Sequence, residues 1–424
     1  MKETSKKLLM IINEFPPTGE SGVQRPLKFL KYAAREGFQT YVITPGKPPK
    51  HILDESLLQE IPKDTLIFKT PSLGLKGKGV DHVANLRTTI EYKANPVKRI
   101  FWSSLKLLND ILLPLDKQIG WVPFAFVKTL VVIRKYNIRN VYITAFPFSA
   151  FLVGILLKSL KKDKIRWIAD YRDAWQFWPR LQTNVHKLRY RIIQHWDEVT
   201  LRNADIVVFN TDFIKERYIA AYPWVEKKTT VIQNGYDEDD FNSLIPHKFE
   251  KFTFLFMGKT YVGLRNPINL LKAINRSGLE NFQFVQIGSS PKELLNEITN
   301  LHLDFFKFEG YVPHHEALCY ALGADINVII FTDDDSSLIG LPGGKFYEVI
   351  RAGKPVLVIG PDLPLIRNIM KDFTSVRYAN LENEEEIICC IKELRNMHFS
   401  VDSLKESISQ FSRENLTHKL LSTL

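Results

Sequence analysis

Short apolar runs alternate with longer stretches in which apolar residues recur every third or fourth position, and the alternation continues along most of the chain. A short run bounded by turn residues suits a buried strand, whereas the longer recurrence lays one apolar stripe on a helix. Leu8-Leu9-Met10-Ile11-Ile12 therefore reads as a strand, Arg25 to Glu36 as a helix stopped by Gly37, and Thr40 to Thr44 as the next strand. This is a βαβ unit, in which a crossover helix joins two parallel strands. Between the first strand and the helix, Asn13 to Gly22 holds Pro16-Pro17, Gly19 and Ser21-Gly22, too many breakers for either element. Loops at this end of parallel strands form the ligand edge of open α/β sheets.

A less regular segment runs from about 47 to 120. Beyond it the pattern predicts helices at Phe126 to Tyr136, Phe148 to Leu160, Tyr190 to Asn203 and Asp212 to Tyr222, with strands at Val141 to Thr144, Arg166 to Ala169, Ile206 to Phe209 and Thr230 to Gln233. The rhythm then restarts. Phe252 to Met257, Phe282 to Ile287, Phe305 to Phe308, Ile326 to Phe331, Val356 to Ile359 and Val376 to Tyr378 read as strands. Helices are expected between and after them near 267–276, 291–300, 314–322, 344–352, 364–371 and 383–396. The fold class is α/β, with two doubly wound Rossmann-like domains, at 1–240 and 250–400, and a helical tail at 401–424 that can cross back to the first domain. The acidic run Asp237-Glu238-Asp239-Asp240 and Pro246 interrupt the apolar pattern and mark the expected hinge at about 236 to 250.

A length of 424 residues agrees with two cores rather than one. With 45% hydrophobic and 25% charged residues the composition is that of a globular protein, and disorder is not expected. Cys319, Cys389 and Cys390 cannot all pair and lack metal-ligand spacing, which suits structural thiols in a reducing cytosol. Asn13-Glu14 cut the first apolar run short of a secretory signal, and the longest uncharged stretch, Val141 to Leu157, contains Pro147 and is too short to span a bilayer.

The net charge of +10 conceals an asymmetry: residues 1–200 hold 33 basic and 17 acidic side chains, the remainder 24 and 30. The basic half is expected to face something anionic. In it, Lys93, Lys98, Arg99 and Lys106 interleave with Phe101, Trp102, Leu105, Leu107, Leu108, Ile111 and Leu112, either an interfacial helix on anionic lipid or an amphipathic helix packed on its own domain. No zinc-finger spacing, aromatic RNA-binding signature or basic heptad array points to nucleic acid.

Three constellations carry chemistry. Pro342-Gly343-Gly344-Lys345-Phe346-Tyr347-Glu348 places two glycines at a helix start, a lysine in the first turn and a glutamate on the same face, where N–H groups and a cation meet an anion and a carboxylate accepts hydroxyl hydrogen bonds. Asp170-Tyr171-Arg172-Asp173 crowds charges at a strand end, either as an Asp–Arg ion pair tying loops together or as a site in which Asp170 or Asp173 orients a hydroxyl and Arg172 faces developing charge. Trp175 and Trp178, which follow, either stack on a sugar face or pack. Asp333-Asp334-Asp335 is a solvated loop in preference to a Mg²⁺ or Mn²⁺ site. His195, His314 and His315 lack metal-ligand spacing, so no metal is assigned.

The chain resembles the GT-B glycosyltransferases, and family 4 in particular, through motifs spread over most of its length. These are Pro16-Pro17 with a small-residue turn and Arg25, Asp170-Tyr171-Arg172-Asp173-Ala174-Trp175, Ala204-Asp205-Ile206-Val207-Val208-Phe209-Asn210-Thr211, Val231-Ile232-Gln233-Asn234-Gly235, Gly258-Lys259 and the block from Gly344 to Pro355. The resemblance implies two domains facing across a cleft, with the second gripping a nucleoside diphosphate sugar. Glu348 would bond the ribose hydroxyls, Gly343 and Gly344 would present N–H groups to the diphosphate, and Lys345, Lys259 and Arg265 would add positive charge. Gly22 would let the N-terminal loop approach the donor phosphate, a close approach that admits no side chain. Arg25, Pro147, Ser149 and Trp175 are expected on the acceptor side. One position departs from the family pattern: the residue eight before Glu348, usually acidic, is Gly340, so the donor sugar lacks its expected carboxylate. Backbone groups from Leu341 to Gly344 or a carboxylate of Asp333, Asp334 or Asp335 would have to replace it.

The expected activity is retaining transfer of a sugar to a saccharide or polyprenyl-linked acceptor at the inner membrane face, without metal or other cofactor, in surface polysaccharide synthesis. The alternatives are a nucleotide-sugar epimerase of the same fold and a non-catalytic nucleotide-sugar-binding protein.

Overall fold

The computed structural model describes residues 6–19, 21–46, 53–73, 115–161, 164–177, 187–260, 266–331, 343–361, 370–371, 373–397 and 406–424. The chain forms two compact units, Met1–Ile232 together with Leu420–Leu424, and Gln233–Lys419.

The first unit is built on a seven-stranded sheet of order β3-β2-β1-β4-β5-β6-β7. Its strands are β1 (Lys7–Ile11), β2 (Gln39–Pro45), β3 (Leu66–Thr70), β4 (Asn140–Ala145), β5 (Arg166–Tyr171), β6 (Ile206–Phe209) and β7 (Thr229–Val231). Every pairing is parallel. The described helices are α1 (Ser21–Arg35), α2 (Val122–Tyr136), α3 (Phe151–Lys161), α4 (Lys187–Asn203) and α5 (Asp212–Ala221). A parallel sheet covered on both faces needs continuous apolar strands rather than alternating ones. Leu8, Leu9, Met10 and Ile11 are each at most 1% exposed, so truncating one of them would cost about 2–5 kcal/mol.

The sequence pattern overlooks β3, an edge strand that leaves Leu66 40% exposed and buries only Thr70. Its end is tied by the indole of Trp121, whose Nε1 donates to Thr70 Oγ1 at 2.7 Å. Half exposure without alternation leaves no periodic signal. The segment 93–112, read as amphipathic, lies outside the described residues.

The second unit has a six-stranded parallel sheet of order β10-β9-β8-β11-β12-β13. Its strands are β8 (Phe252–Met257), β9 (Phe282–Ile287), β10 (Phe306–Gly310), β11 (Ile326–Ile330), β12 (Val356–Gly360) and β13 (Val376–Asn380). Strand order reverses between β8 and β11, the place where open α/β sheets accept ligands. The described helices are α6 (Ile268–Arg276), α7 (Lys292–Asn300), α8 (His314–Gly323), α9 (Gly344–Arg351), α10 (Glu384–Arg395) and α11 (Arg413–Leu421). The helix expected at 364–371 falls almost wholly outside the described residues. One core layer gathers Leu255, Val285, Val349, Ile350 and Val358 beneath α9, and a second gathers Phe254, Leu270, Leu271, Ile387 and Ile391 on the opposite face.

The acidic run expected at the hinge is folded into this second unit. Glu238–Phe241 forms a short 3-10 turn in which the Asp237 carboxylate accepts from the Asp239 N–H at 3.1 Å. Glu238 pairs with Arg351 at the end of α9, Nε to Oε2 at 2.7 Å, which fastens the turn to that helix.

Among the described residues, no helix is long and apolar enough to cross a membrane. Cys319, Cys389 and Cys390 carry free thiols.

Candidate functional site

In the first unit the charged motif after β5 divides into a buried part and an accessible part. Asp170 and Arg25 are 0% and 1% exposed and face each other in two-point contact, Nε to Oδ2 at 3.0 Å and Nη2 to Oδ1 at 2.8 Å. Tyr142 and Thr144 also donate to Asp170 Oδ2, at 2.5 and 3.1 Å, and Arg25 Nη2 donates to the Ile232 carbonyl at 2.8 Å. Burial pushes the Asp170 carboxyl up, but Arg25 with these donors outweighs it and holds the group below its ordinary value. Of the two readings of the Asp170 motif this burial favours the ion pair, and it places Arg25 in the interior rather than on an open face. Asp170 and Arg25 are an interior ion pair that joins β5 to α1 and to the chain after β7, with both side chains buried.

Arg172 and Asp173 lie at the accessible end. Arg172 Nη1 donates to the Gly22 carbonyl at 2.6 Å, Nη2 is 3.5 Å from Glu14 Oε2, and Nε is 3.6 Å from Asp173 Oδ2. The Gly22 carbonyl is available for a reason written in the sequence. Its helical partner would be the N–H four residues on, and that residue is Pro26, inside α1. A side chain at Gly22 would place its Cβ 2.1 Å from Glu14 Oε2 and 2.4 Å from Arg172 Nη1. Gly22 thus makes room for the Glu14–Arg172 pair, a role different from the phosphate approach expected of it. The Asp173 and Arg172 side chains are 26% and 14% exposed, and burial pushes the Asp173 carboxyl up against the pull of Arg172.

Three acceptor-side expectations are also corrected by burial. Trp175 is 1% exposed and stacks on Phe148 with centroids 4.9 Å and planes 4° apart, so it is core rather than a sugar platform. Ser149 is fully buried, its Oγ donating to Asp116 Oδ1 at 2.6 Å and its N–H to Oδ2 at 2.7 Å. Pro147 is buried beside it. The exposed member of this loop is Phe146, at 41%. Trp178 lies outside the described residues.

In the second unit α9 begins with no side-chain cap and no acidic residue in its first turn. Its first N–H groups therefore have no carboxylate from that turn to face. Gly343 adopts φ −70 and ψ 167, which any residue can take, and among the described residues a Cβ there would meet nothing within 4 Å. Its backbone gives no reason of conformation for a glycine. Lys345 follows in the first turn, and Lys259 is exposed just beyond the end of β8. Arg265, Gly340, Leu341, Pro342 and Asp333 to Asp335 lie outside the described residues.

Glu348 sits one turn into α9 with its side chain 12% exposed. Its Oε1 faces His314 Nε2 at 3.2 Å, and His314 Nδ1 is 4.0 Å from Asp240 Oδ2. Burial pushes the Glu348 carboxyl up, but His314, with Lys345 and Arg413, outweighs burial and holds it below its ordinary value. Glu348 is thus an ionised acceptor. Arg413, at the start of α11, is 3% exposed, and its Nη2 would lie 3.7 Å from a Cβ at Gly344. Its backbone N–H donates to the Tyr236 carbonyl at 2.7 Å, which fixes α11 beside the start of α9. His314, Asp240 and Arg413 come from three segments remote in sequence, and no local motif announces them.

The model of Glycosyltransferase Family 4 matches residues 27–240, just over half of the chain. No curated sequence matches it. The fold is similar to that of sucrose-phosphate synthase from Thermosynechococcus elongatus, at 13% identity and TM-score 0.61, with 98% of each chain covered. It is also similar to HepE from Anabaena in complex with UDP and glucose, at 14% identity and TM-score 0.60, with 98% of each chain covered. A putative UDP-N-acetylglucosamine 2-epimerase from Listeria monocytogenes has 13% identity and TM-score 0.60, over 99% of this chain and 96% of that one. Two parallel Rossmann-like sheets, this structural likeness and the family match lead to one identification: the chain belongs to Glycosyltransferase Family 4 and is a glycosyltransferase of the GT-B fold.

Proposed function

We propose that the protein is a retaining glycosyltransferase that moves a sugar from a nucleoside diphosphate sugar to a saccharide or polyprenyl-linked acceptor in surface polysaccharide synthesis. The observation that carries the donor half is the grouping at α9: an uncapped helix start opened by glycines, Lys345 in its first turn and an ionised Glu348 one turn on. A diphosphate needs N–H groups and positive charge, and a ribose needs a fixed carboxylate acceptor. UDP and glucose occupy the similar structure of HepE, which favours the same class of donor here.

In this reading the bond from the anomeric carbon to the diphosphate oxygen breaks while the bond to the acceptor oxygen forms, and the acceptor hydroxyl's proton passes to the departing diphosphate. Charge accumulates on the departing diphosphate, and Lys345, Lys259, Arg265 and the N–H groups at Gly343 and Gly344 stabilise it there. Positive charge from the chain serves this purpose, so the reaction is metal-independent. Arg172 and Asp173, with partly exposed side chains, are the acceptor-side candidates. The excess of basic residues in 1–200 suits an anionic partner such as a lipid-linked phosphate at the inner membrane face.

The test is donor consumption with candidate acceptors present and absent, in wild-type protein and in Glu348→Ala. Transfer predicts consumption that requires an acceptor, survives EDTA, and shows a donor KM raised about 10-fold or more by the substitution. The similar Listeria protein supplies a second reading, a nucleotide-sugar epimerase, which would interconvert donor epimers with no acceptor at all.

A further inference from the structure

We infer that His314 is a positioning residue that holds the Glu348 carboxylate in place for the donor's ribose hydroxyls, an inference that rests on the donor reading above. A carboxylate on a helix can point in several directions, and binding a vicinal diol requires one of them. Glu348 is fixed from the side by the imidazole of His314, whose Nε2 is 3.2 Å from Oε1. The arrangement leaves Oε2 as the oxygen not engaged by this contact.

His314 is itself held between two elements. It occupies the first position of α8, which packs on α9, and its Nδ1 faces Asp240 Oδ2 at 4.0 Å. Asp240 belongs to the 3-10 turn that Glu238 fastens to Arg351 at the far end of α9. The ring therefore sits between two carboxylates, with Nε2 at hydrogen-bond distance from Glu348 and Nδ1 farther from Asp240, and its side chain is 22% exposed against 15% for Asp240 and 12% for Glu348. Oriented donors behind a ligand-binding carboxylate lower the cost of fixing it when the ligand arrives. Lys345 and Arg413 also act on Glu348, but a lysine on the same helix supplies charge with four rotatable bonds, whereas the ring supplies direction.

The experiment measures equilibrium binding of UDP, ADP and GDP to the full-length protein, then of the 2′,3′-dideoxy counterpart of whichever binds. His314→Ala is expected to weaken the ribose-bearing nucleotide about 10-fold and leave the dideoxy nucleotide within about 2-fold of wild type. His314→Gln, whose amide nitrogen can reach the place of Nε2, is expected to recover most of the loss. His315→Ala, an exposed neighbour, should bind as wild type does. Equal weakening of both nucleotides would show a merely structural role and overturn the inference, as would unchanged binding of both. If none of the three nucleotides binds wild-type protein, the donor reading itself falls and takes this inference with it.

Discussion

Asp170 and Arg25 show how a charged motif can be structural while its neighbours remain chemical. The pair is fully enclosed, and four donor contacts to the carboxylate use its acceptor capacity. Removing one partner leaves an uncompensated charge in the interior, which typically costs about 3–5 kcal/mol. Asp170→Ala is therefore expected to lower the free energy of unfolding, measured by denaturant titration, by an amount in that range. Wild-type stability together with abolished transfer would return Asp170 to a catalytic role. Two residues along, the Arg172 guanidinium and the Asp173 carboxylate are partly exposed, which makes this end of the motif the one that can meet a substrate.

At the scale of elements, α1 and α4 carry the most distinctive chemistry of the first unit. Pro26 deprives the Gly22 carbonyl of its helical partner, and Arg172 takes that carbonyl. In Gly22→Ala the new methyl collides with the ends of two flexible side chains, while alanine favours the helix over glycine by about 1 kcal/mol. Thermal unfolding should therefore change little, and transfer should fall at least about 10-fold as Arg172 and Glu14 are displaced. A variant with full activity would show that their placement is immaterial.

Asp197, on α4, accepts from Tyr171 on β5 at 2.7 Å and from Tyr218 on α5 at 2.7 Å, and so joins three elements. Burial pushes its carboxyl up to about 6, against the pull of these donors. Because the folded state holds this proton more tightly than the unfolded chain, whose value is about 3.9, the group's contribution is most favourable below about pH 4. It is lost as pH rises through about 6, a change of roughly 2–3 kcal/mol. The stability of wild-type protein relative to Asp197→Asn should fall across that window, measured by urea unfolding at stepped pH. A pH-independent difference would contradict the burial argument.

Across the whole molecule, the α/β architecture was legible because strands buried on both faces are continuous apolar runs. Ile206–Phe209, Phe252–Met257 and Phe282–Ile287 have the bounds that their apolar runs predict. β3 was not legible, since an edge strand with one buried residue has no period to read. The start of α9 proposed for the donor was visible as Gly343-Gly344-Lys345 with Glu348, because those residues are local in sequence. His314, Asp240 and Arg413 were not, because only the fold brings His314 to Glu348, Asp240 to His314 and Arg413 to the start of α9. On the acceptor side, residue type misled: Trp175 and Ser149 suit a sugar site chemically, but their burial decides otherwise.

The central claim is that the start of α9 holds the donor's diphosphate, and amide hydrogen exchange with and without a bound nucleoside diphosphate tests it most directly. The N–H groups of Gly344 and Lys345 lie in the first turn and should exchange several-fold more slowly when the nucleotide is bound, with a smaller effect at the exposed Lys259. Saturable nucleotide binding with unchanged exchange at 343–348 and protection elsewhere would contradict the account.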